Sequence, residues 1–185
     1  MKTGIYNSDW FFYICVIGFI AYGIYYLYNA IKLVVNNEKA RREFLENHGR
    51  EEIKKEENWL PWVIAEAVAL VYCVYSVFTI PAEKEQAEWF RLAFGVVGII
   101  MLGQMMQNLV KRRILVGEKG FVYESDYVPY QSIVSMNPKR RAIITLVDVL
   151  CLKNKKYTMP GKCGQLLHDE YRNYKRAKKA HKGKH

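Results

Sequence analysis

The sequence predicts a membrane bundle of three transmembrane helices, followed by a small cytosolic antiparallel β-sheet with a C-terminal helix. Three long apolar runs occupy residues 10–31, 59–80 and 92–110. Each is close to the ~20 residues that cross the ~30 Å hydrocarbon core as a helix. After residue 110, short apolar runs alternate with turn signals, which is typical of strands. This last part also holds 18 of the 28 Lys and Arg residues but only six acids.

The first apolar run lies between Asp9 and Lys32. It is too long for the core of a signal peptide and has no small-residue cleavage site, so we expect an uncleaved span. Aromatic residues cluster towards both of its ends, as they do at membrane–water interfaces. Residues 1–35 are therefore predicted to form an N-terminal segment and transmembrane helix 1.

Residues 36–58 are predicted to form a charged cytosolic connector. Glu38 and Arg42 stand four residues apart, as do Glu51 and Lys55, so a helix would pair them. His48 and Gly49 indicate a break between two short helices. The simplest interpretation is a solvated extension of the membrane helices, and a partner-binding hairpin is the alternative.

Residues 59–110 are predicted to form transmembrane helices 2 and 3, joined by a short outer loop at residues 81–91. The connector, counted with Lys32, holds seven cations, and Lys111, Arg112 and Arg113 follow the third run. The N-terminal segment has only Lys2, and the outer loop has Lys84 and Arg91. Because cations favour the cytoplasmic side, we expect a multi-pass cell-membrane protein with its N-terminus outside and its C-terminus in the cytoplasm.

Residues 111–174 are predicted to form a β-rich domain with a C-terminal helix. Turn signals at residues 117–120, 137–140 and 154–156 separate the short apolar runs. From residue 164 the pattern becomes helical, and Leu166, Leu167, Tyr171 and Tyr174 fall on one face. Residues 175–185 are expected to be a frayed basic end.

The order of these segments resembles the small pleckstrin-homology-like domain of bacterial membrane proteins. The resemblance is carried by Ile-Leu-Val-Gly at 114–117, Gly-Phe-Val-Tyr at 120–123, Val-Pro-Tyr-Gln-Ser-Ile at 128–133 and the helix around 166–174. It covers about 65 residues and implies a cytosolic half-barrel, in a reduced or open form because the tail is short. It also implies binding or regulation at the membrane, for some members self-protection against membrane-active peptides, and no catalytic residue.

Glu66 interrupts the second apolar run about 10 Å from its start, at 1.5 Å per residue. A carboxylate at that depth is costly unless it is protonated, paired or hydrated, so it is a candidate site. Ala69, Cys73 and Ser76 continue the same face with small residues. Matching depth along the antiparallel third helix places Gln104 or Gln107 opposite Glu66, with Tyr25 or Tyr28 from the first helix. This cluster either serves helix–helix packing, with Glu66 protonated, or forms a proton or cation site or a pocket for a lipid head or peptide amine.

The basic tail is expected to contact anionic headgroups, since a cation near such a surface contributes about 1 kcal/mol. The residues predicted for this contact are Lys111, Arg112, Arg113, Lys139, Arg140 and Arg141. The basic end at residues 172–184 could also touch RNA, but it lacks interleaved aromatic residues beyond Tyr174 and a recognisable nucleic-acid module. Anionic lipid is therefore the favoured partner of this end, and nucleic acid is disfavoured.

No enzyme chemistry is predicted. His48, His168, His181 and His185 have no second metal ligand or nucleophile at a productive spacing. We therefore expect no catalytic residue, no metal site and no cofactor, and reduced thiols at the four cysteines. The predicted function is a non-enzymatic membrane protein that binds or regulates a membrane or cytosolic protein partner at the inner face. The alternatives are an immunity protein against a membrane-active peptide, and a small transporter or channel subunit using Glu66, which would need a homo-oligomer.

Overall fold

The computed structural model describes residues 9–48, 53–81, 86–141 and 144–182. Four helices and seven strands follow one another along this part of the chain. In order they are α1 (Asp9–His48), β1 (Lys54–Glu57), α2 (Leu60–Thr79), α3 (Ala87–Lys111), β2 (Arg113–Val116), β3 (Gly120–Tyr123), β4 (Asp126–Pro129), β5 (Ile133–Arg141), β6 (Ile144–Cys151), β7 (Lys156–Pro160) and α4 (Gly161–Lys182).

The chain divides into two compact units. The helical unit contains the described residues up to Lys32 together with Trp62–Gln107, and the sheet unit contains Leu33–Pro61 together with the described residues from Asn108 onwards. Helix α1 contributes residues to both. Its 40 residues correspond to a length of about 60 Å at 1.5 Å per residue, roughly twice the hydrocarbon thickness.

Three helices are long and apolar enough to cross a membrane, in agreement with the predicted spans. They are the candidate spans Tyr13–Asn47, Leu60–Thr79 and Ala87–Lys111. Many of their large apolar side chains face outwards, and Phe78 is 81% exposed. A surface of this kind is suited to hydrocarbon rather than water.

Small residues allow the helices of this unit to approach closely. A Cβ on Gly98 would lie 3.6 Å from Cys73 and from Leu70 of α2. Cys73 and Ser76, on the small face predicted for α2, are buried. The third helix begins at Ala87, five residues before the predicted span, because residues 87–91 contain no helix breaker.

The sheet unit contains two antiparallel sheets rather than the single sheet expected from the sequence. The first has the order β1-β2-β3-β4 and the second has the order β5-β6-β7. The main core lies between the sheets and α4, and its fully buried members include Phe121, Tyr123, Val149 and Leu167. Leu166, Tyr171 and Tyr174 pack against this core, as predicted for the apolar face of the last helix.

The two central strands of the first sheet, β2 and β3, are buried on both faces. Leu115 and Val122 point away from the main core and pack against Phe44, from the second half of α1. The ring centroids of Phe44 and Tyr127 lie 5.6 Å apart. This explains why β3 is buried at every position instead of alternating.

The connector differs from its prediction. Helix α1 continues without a break to His48, and Lys54–Glu57 form strand β1 instead of a second short helix. In the antiparallel pairing with β2, Lys54 lies opposite Val116 and Glu57 lies opposite Arg113. The first strand of this sheet therefore precedes α2 in the chain. Pairing with β2 supplies the backbone hydrogen bonds of this strand. The charged sequence by itself does not indicate a strand here. With β1, the described residues form seven strands, more than the reduced form expected.

Residues 137–140 are also different, because they continue strand β5 instead of forming a turn. Pro138 lies opposite Val147 of β6. Since β5 is at the edge of its sheet, a residue without an N–H is tolerated there. Helix α4 begins at Gly161, not residue 164, and continues to Lys182. The expected frayed end is therefore helical as far as it is described, which fits its Lys, Arg and Ala residues.

Candidate functional site

A polar cluster lies inside the helical unit and connects all three helices. The Tyr26 hydroxyl of α1 donates a hydrogen bond of 2.9 Å to Gln104 Oε1 of α3. Tyr26 also interacts with the side chains of Gln107 and Glu66. The sequence had placed Gln104 near Glu66 in depth, with Gln107 nearer the surface as the other possible partner. In the structure Tyr26 interacts with all three residues.

Glu66 is half-buried in this cluster, and its Oε2 atom is fully buried. A carboxylate among polar side chains of neighbouring helices is the arrangement in which an intramembrane acid is tolerated. The chemistry available is hydrogen bonding between helices.

The tyrosine of the cluster is Tyr26, and the sequence analysis had assigned this role to Tyr25 or Tyr28. Those two side chains are 66% and 61% exposed, since they lie on other faces of α1. A signal for Tyr26 was present, because Gly23 and Ala30 lie three residues before and four residues after it on the same face. Both are buried, and small residues of this kind mark a helix contact.

Gly103 leaves the space that the Tyr26 ring occupies against α3. A Cβ at this position would lie 2.6 Å from the Tyr26 ring and 3.8 Å from Ala30 Cβ. A distance of 2.6 Å is far inside normal carbon–carbon contact. Gly103 therefore lets the Tyr26 ring lie against α3 and its hydroxyl reach Gln104, one residue further along.

The cations that follow α3 are engaged within the sheet unit. Arg112 Nε donates a hydrogen bond of 3.1 Å to Asn108 Oδ1. The Arg113 guanidinium lies 4.8 Å from the centroid of the Trp59 ring, and burial lowers the pKa of Arg113. Arg113 is therefore a packing residue of this unit, whereas Lys111 is exposed.

Lys139, also predicted for lipid contact, is part of an ion cluster. Its Nζ lies 2.7 Å from Asp148 Oδ2, and Lys156 Nζ lies 3.0 Å from the same oxygen. Thr158 donates a hydrogen bond of 2.7 Å to Asp148 Oδ1. The contacts with Lys139, Thr158 and Lys156 hold the pKa of Asp148 below its usual range. Arg140 is exposed, and the Arg141 side chain lies outside the described residues.

The second half of α4 forms a basic surface, which we call the α4 basic end. Five cations there are exposed, and within the described chain none has a carboxylate oxygen within 4.0 Å of its side-chain nitrogens. They are Arg172, Lys175, Arg176, Lys178 and Lys179. By contrast, acids lie beside Lys54, Lys139, Lys155 and Lys156. The sequence analysis expected this segment to be frayed and favoured anionic lipid as its partner, but named none of these five cations among the specific lipid contacts.

Within the described residues, no group of three or more His, Cys, Asp or Glu side chains could hold a metal ion. Burial raises the pKa of the Cys163 thiol to about 12, so this cysteine stays protonated and poorly nucleophilic at neutral pH. Comparison with protein-family models, with curated proteins and with solved structures finds no match to this chain.

Proposed function

We propose that this chain is a non-enzymatic integral membrane protein whose basic sheet unit binds anionic headgroups and a protein partner at the inner membrane face. The observation that carries the proposal is the α4 basic end. Five exposed cations without a described acid partner form a surface that attracts a dense anionic layer. Each contributes about 1 kcal/mol near such a surface.

The pairing of β1 with β2 supports a common side for the connector and the tail. Strand β1 ends just before α2 and strand β2 begins just after α3. The Asn58 amide donates a hydrogen bond of 3.0 Å to the Arg112 oxygen, which continues the ladder to both helix ends. If α2 and α3 cross a membrane, these ends lie on one side. The high cation content of the connector and the tail favours the cytoplasm.

The strand count supports the resemblance to a pleckstrin-homology-like domain. Sheets of four and three antiparallel strands are followed by a C-terminal helix that packs on their common core. In this proposal the first strand precedes a two-helix membrane insertion. The polar cluster around Tyr26 then serves helix packing.

The headgroup contact is tested with the full chain in nanodiscs. We expect amide hydrogen exchange of residues 175–182 to slow by at least about threefold when phosphatidylglycerol is added to phosphatidylcholine, because the cations move onto the charged surface. Salt at about 0.5 M should remove the effect, since it shortens the screening length.

The matched variants carry the same change in charge. Lys175→Glu with Lys179→Glu should abolish the slowing, whereas Lys119→Glu with Lys153→Glu should retain it. Equal slowing in both double variants would refute the role of the α4 basic end.

For the protein partner, affinity capture with the full chain should recover a protein that a chain ending at Tyr174 loses, because Tyr174 is the last residue of α4 that packs on the core.

A further inference from the structure

We infer that a groove between β5 and the first turns of α4 binds a membrane lipid with an anionic headgroup. The groove lies within the sheet unit and has a volume of about 500 Å³. This falls within the ~300–1,000 Å³ typical of small-molecule sites. It is separate from the α4 basic end, which lies further along the same helix, and from the polar cluster of the helical unit.

The floor of the groove is apolar. Met136 and Pro138 of β5 and Val147 of β6 line it. The groove exists because two glycines bring α4 onto the sheet without side chains that would fill the space. A Cβ at Gly161 would lie 3.0 Å from Thr145, and one at Gly164 would overlap Val147. An apolar floor of this kind suits an acyl chain, because burial of each methylene contributes about 0.8 kcal/mol.

The rim of the groove carries a lysine and no acid. Lys162 and the imidazole of His168, both on α4, line it, and no lining residue is a carboxylate. The neighbouring Asp169, whose Oδ1 lies 3.6 Å from His168 Nδ1, is not among the lining residues. An amphiphile whose head carries a negative charge, such as a phosphate, therefore matches both the floor and the rim.

A lipid fits the groove better than an extended peptide. A peptide would add to the edge of β5, but Pro138 lacks the N–H that strand addition needs. The lipid assignment rests on the proposed membrane function, since three candidate spans would keep the chain among lipids. Anionic lipid is then the ligand of matching chemistry at the highest local concentration.

The test uses the full chain in phosphatidylcholine nanodiscs with a small fraction of phosphatidic acid that carries a diazirine in its acyl chain. After photolysis, tandem mass spectrometry should place adducts on peptides from β5 and from residues 161–168. Gln165, an exposed lining residue, is changed to Trp to fill the groove. Gln165→Trp and Lys162→Glu should each lower adduct yield by at least about fivefold, the equivalent of ~1 kcal/mol.

Two controls make the same changes outside the groove. Val134→Trp lies on β5 but does not line the groove, and Lys178→Glu lies on α4 beyond it; both should keep the wild-type yield. Equal adducts in Gln165→Trp and the wild type would overturn the inference. So would equal labelling by a diazirine phosphatidylcholine, or a crosslink in the groove to a second copy of the chain. Hydrogen exchange of residues 175–182 in the same nanodiscs separates the two proposals, because slowed exchange without groove adducts refutes only the lipid groove.

Discussion

The helical unit and the sheet unit bury opposite kinds of side chain. In the helical unit the small residues Cys73 and Ser76 are buried and Phe78 is largely exposed. In the sheet unit Phe121 is completely buried, and ion pairs such as Lys155 with Asp126 lie at the surface. This contrast is consistent with the proposal that the helical unit lies in hydrocarbon and the sheet unit in water. Hydrocarbon leaves no apolar gain from burying a large side chain between helices, whereas water drives such side chains into a core.

The largest effect is expected from one substitution made in both units. Phe121→Ala should lower the free energy of opening of β2 and β3 by about 3–5 kcal/mol, because it removes a fully buried ring. Phe78→Ala should change the opening free energy of α2 by less than about 0.5 kcal/mol. Hydrogen exchange of the full chain in detergent micelles measures both. Similar losses of opening free energy in the two variants would contradict the proposed difference between the two units.

A smaller effect is expected from Asp148→Asn, which leaves the fold's apolar core intact. Loss of charge-assisted hydrogen bonds with Lys139 and Lys156 should destabilise the sheet unit by about 1–3 kcal/mol at pH 7. Because the folded state holds the pKa of Asp148 down, its contribution is present above the unfolded value of ~3.9 and is lost as the pH falls towards the folded value. The gap between variant and wild type should therefore narrow below about pH 4, as followed by denaturant unfolding. A gap that stays constant to the lowest pH would contradict the ionic explanation.

The smallest effect concerns the polar interior of the helical unit. Tyr26→Phe removes the hydrogen bond to Gln104 and should cost about 0.6 kcal/mol, the usual worth of such a bond between membrane helices. Tyr25→Phe is the control on the neighbouring exposed residue and should have no effect. Unfolding of the helices in a mixed-detergent titration can resolve the pair. An equal loss of unfolding free energy in Tyr25→Phe would show that the hydrogen bond from Tyr26 to Gln104 does not stabilise the helices.

The three apolar helices and the packed face of α4 could be predicted because each is marked by its own hydrophobic pattern. Strand β1 could not, since Lys-Lys-Glu-Glu has no apolar residue and becomes a strand only through pairing with β2. Charges on an edge strand also discourage pairing with other molecules. Pro138 indicated a turn, because a proline is tolerated within a strand chiefly at the edge of a sheet. The sequence does not show that β5 is an edge strand.

For the polar cluster, the sequence predicted the position of residues along the helix axes but not the side of each helix on which they lie. Counting residues from the ends of antiparallel helices gives the distance along the axis, which placed Gln104 near Glu66. It does not give rotation about the axis, so the exposed Tyr25 and Tyr28 were chosen instead of Tyr26. The cations of Arg113 and Lys139 show the same limit, since charge alone could not reveal the Trp59 ring and the Asp148 carboxylate beside them.

The separation of β1 from β2 has a consequence for biosynthesis. Strand β1 leaves the ribosome before α2 and α3 are made, and its partner β2 follows only after both helices. The first sheet therefore cannot close until the two-helix hairpin is complete, which gives this small domain a long loop to close. If only one of the two helices inserted, β1 and β2 would lie on opposite sides of the bilayer. If α2 and α3 cross a membrane, closure of the first sheet would therefore require insertion of both helices, and a chain with only one inserted would keep the β1-facing edge of β2 unpaired.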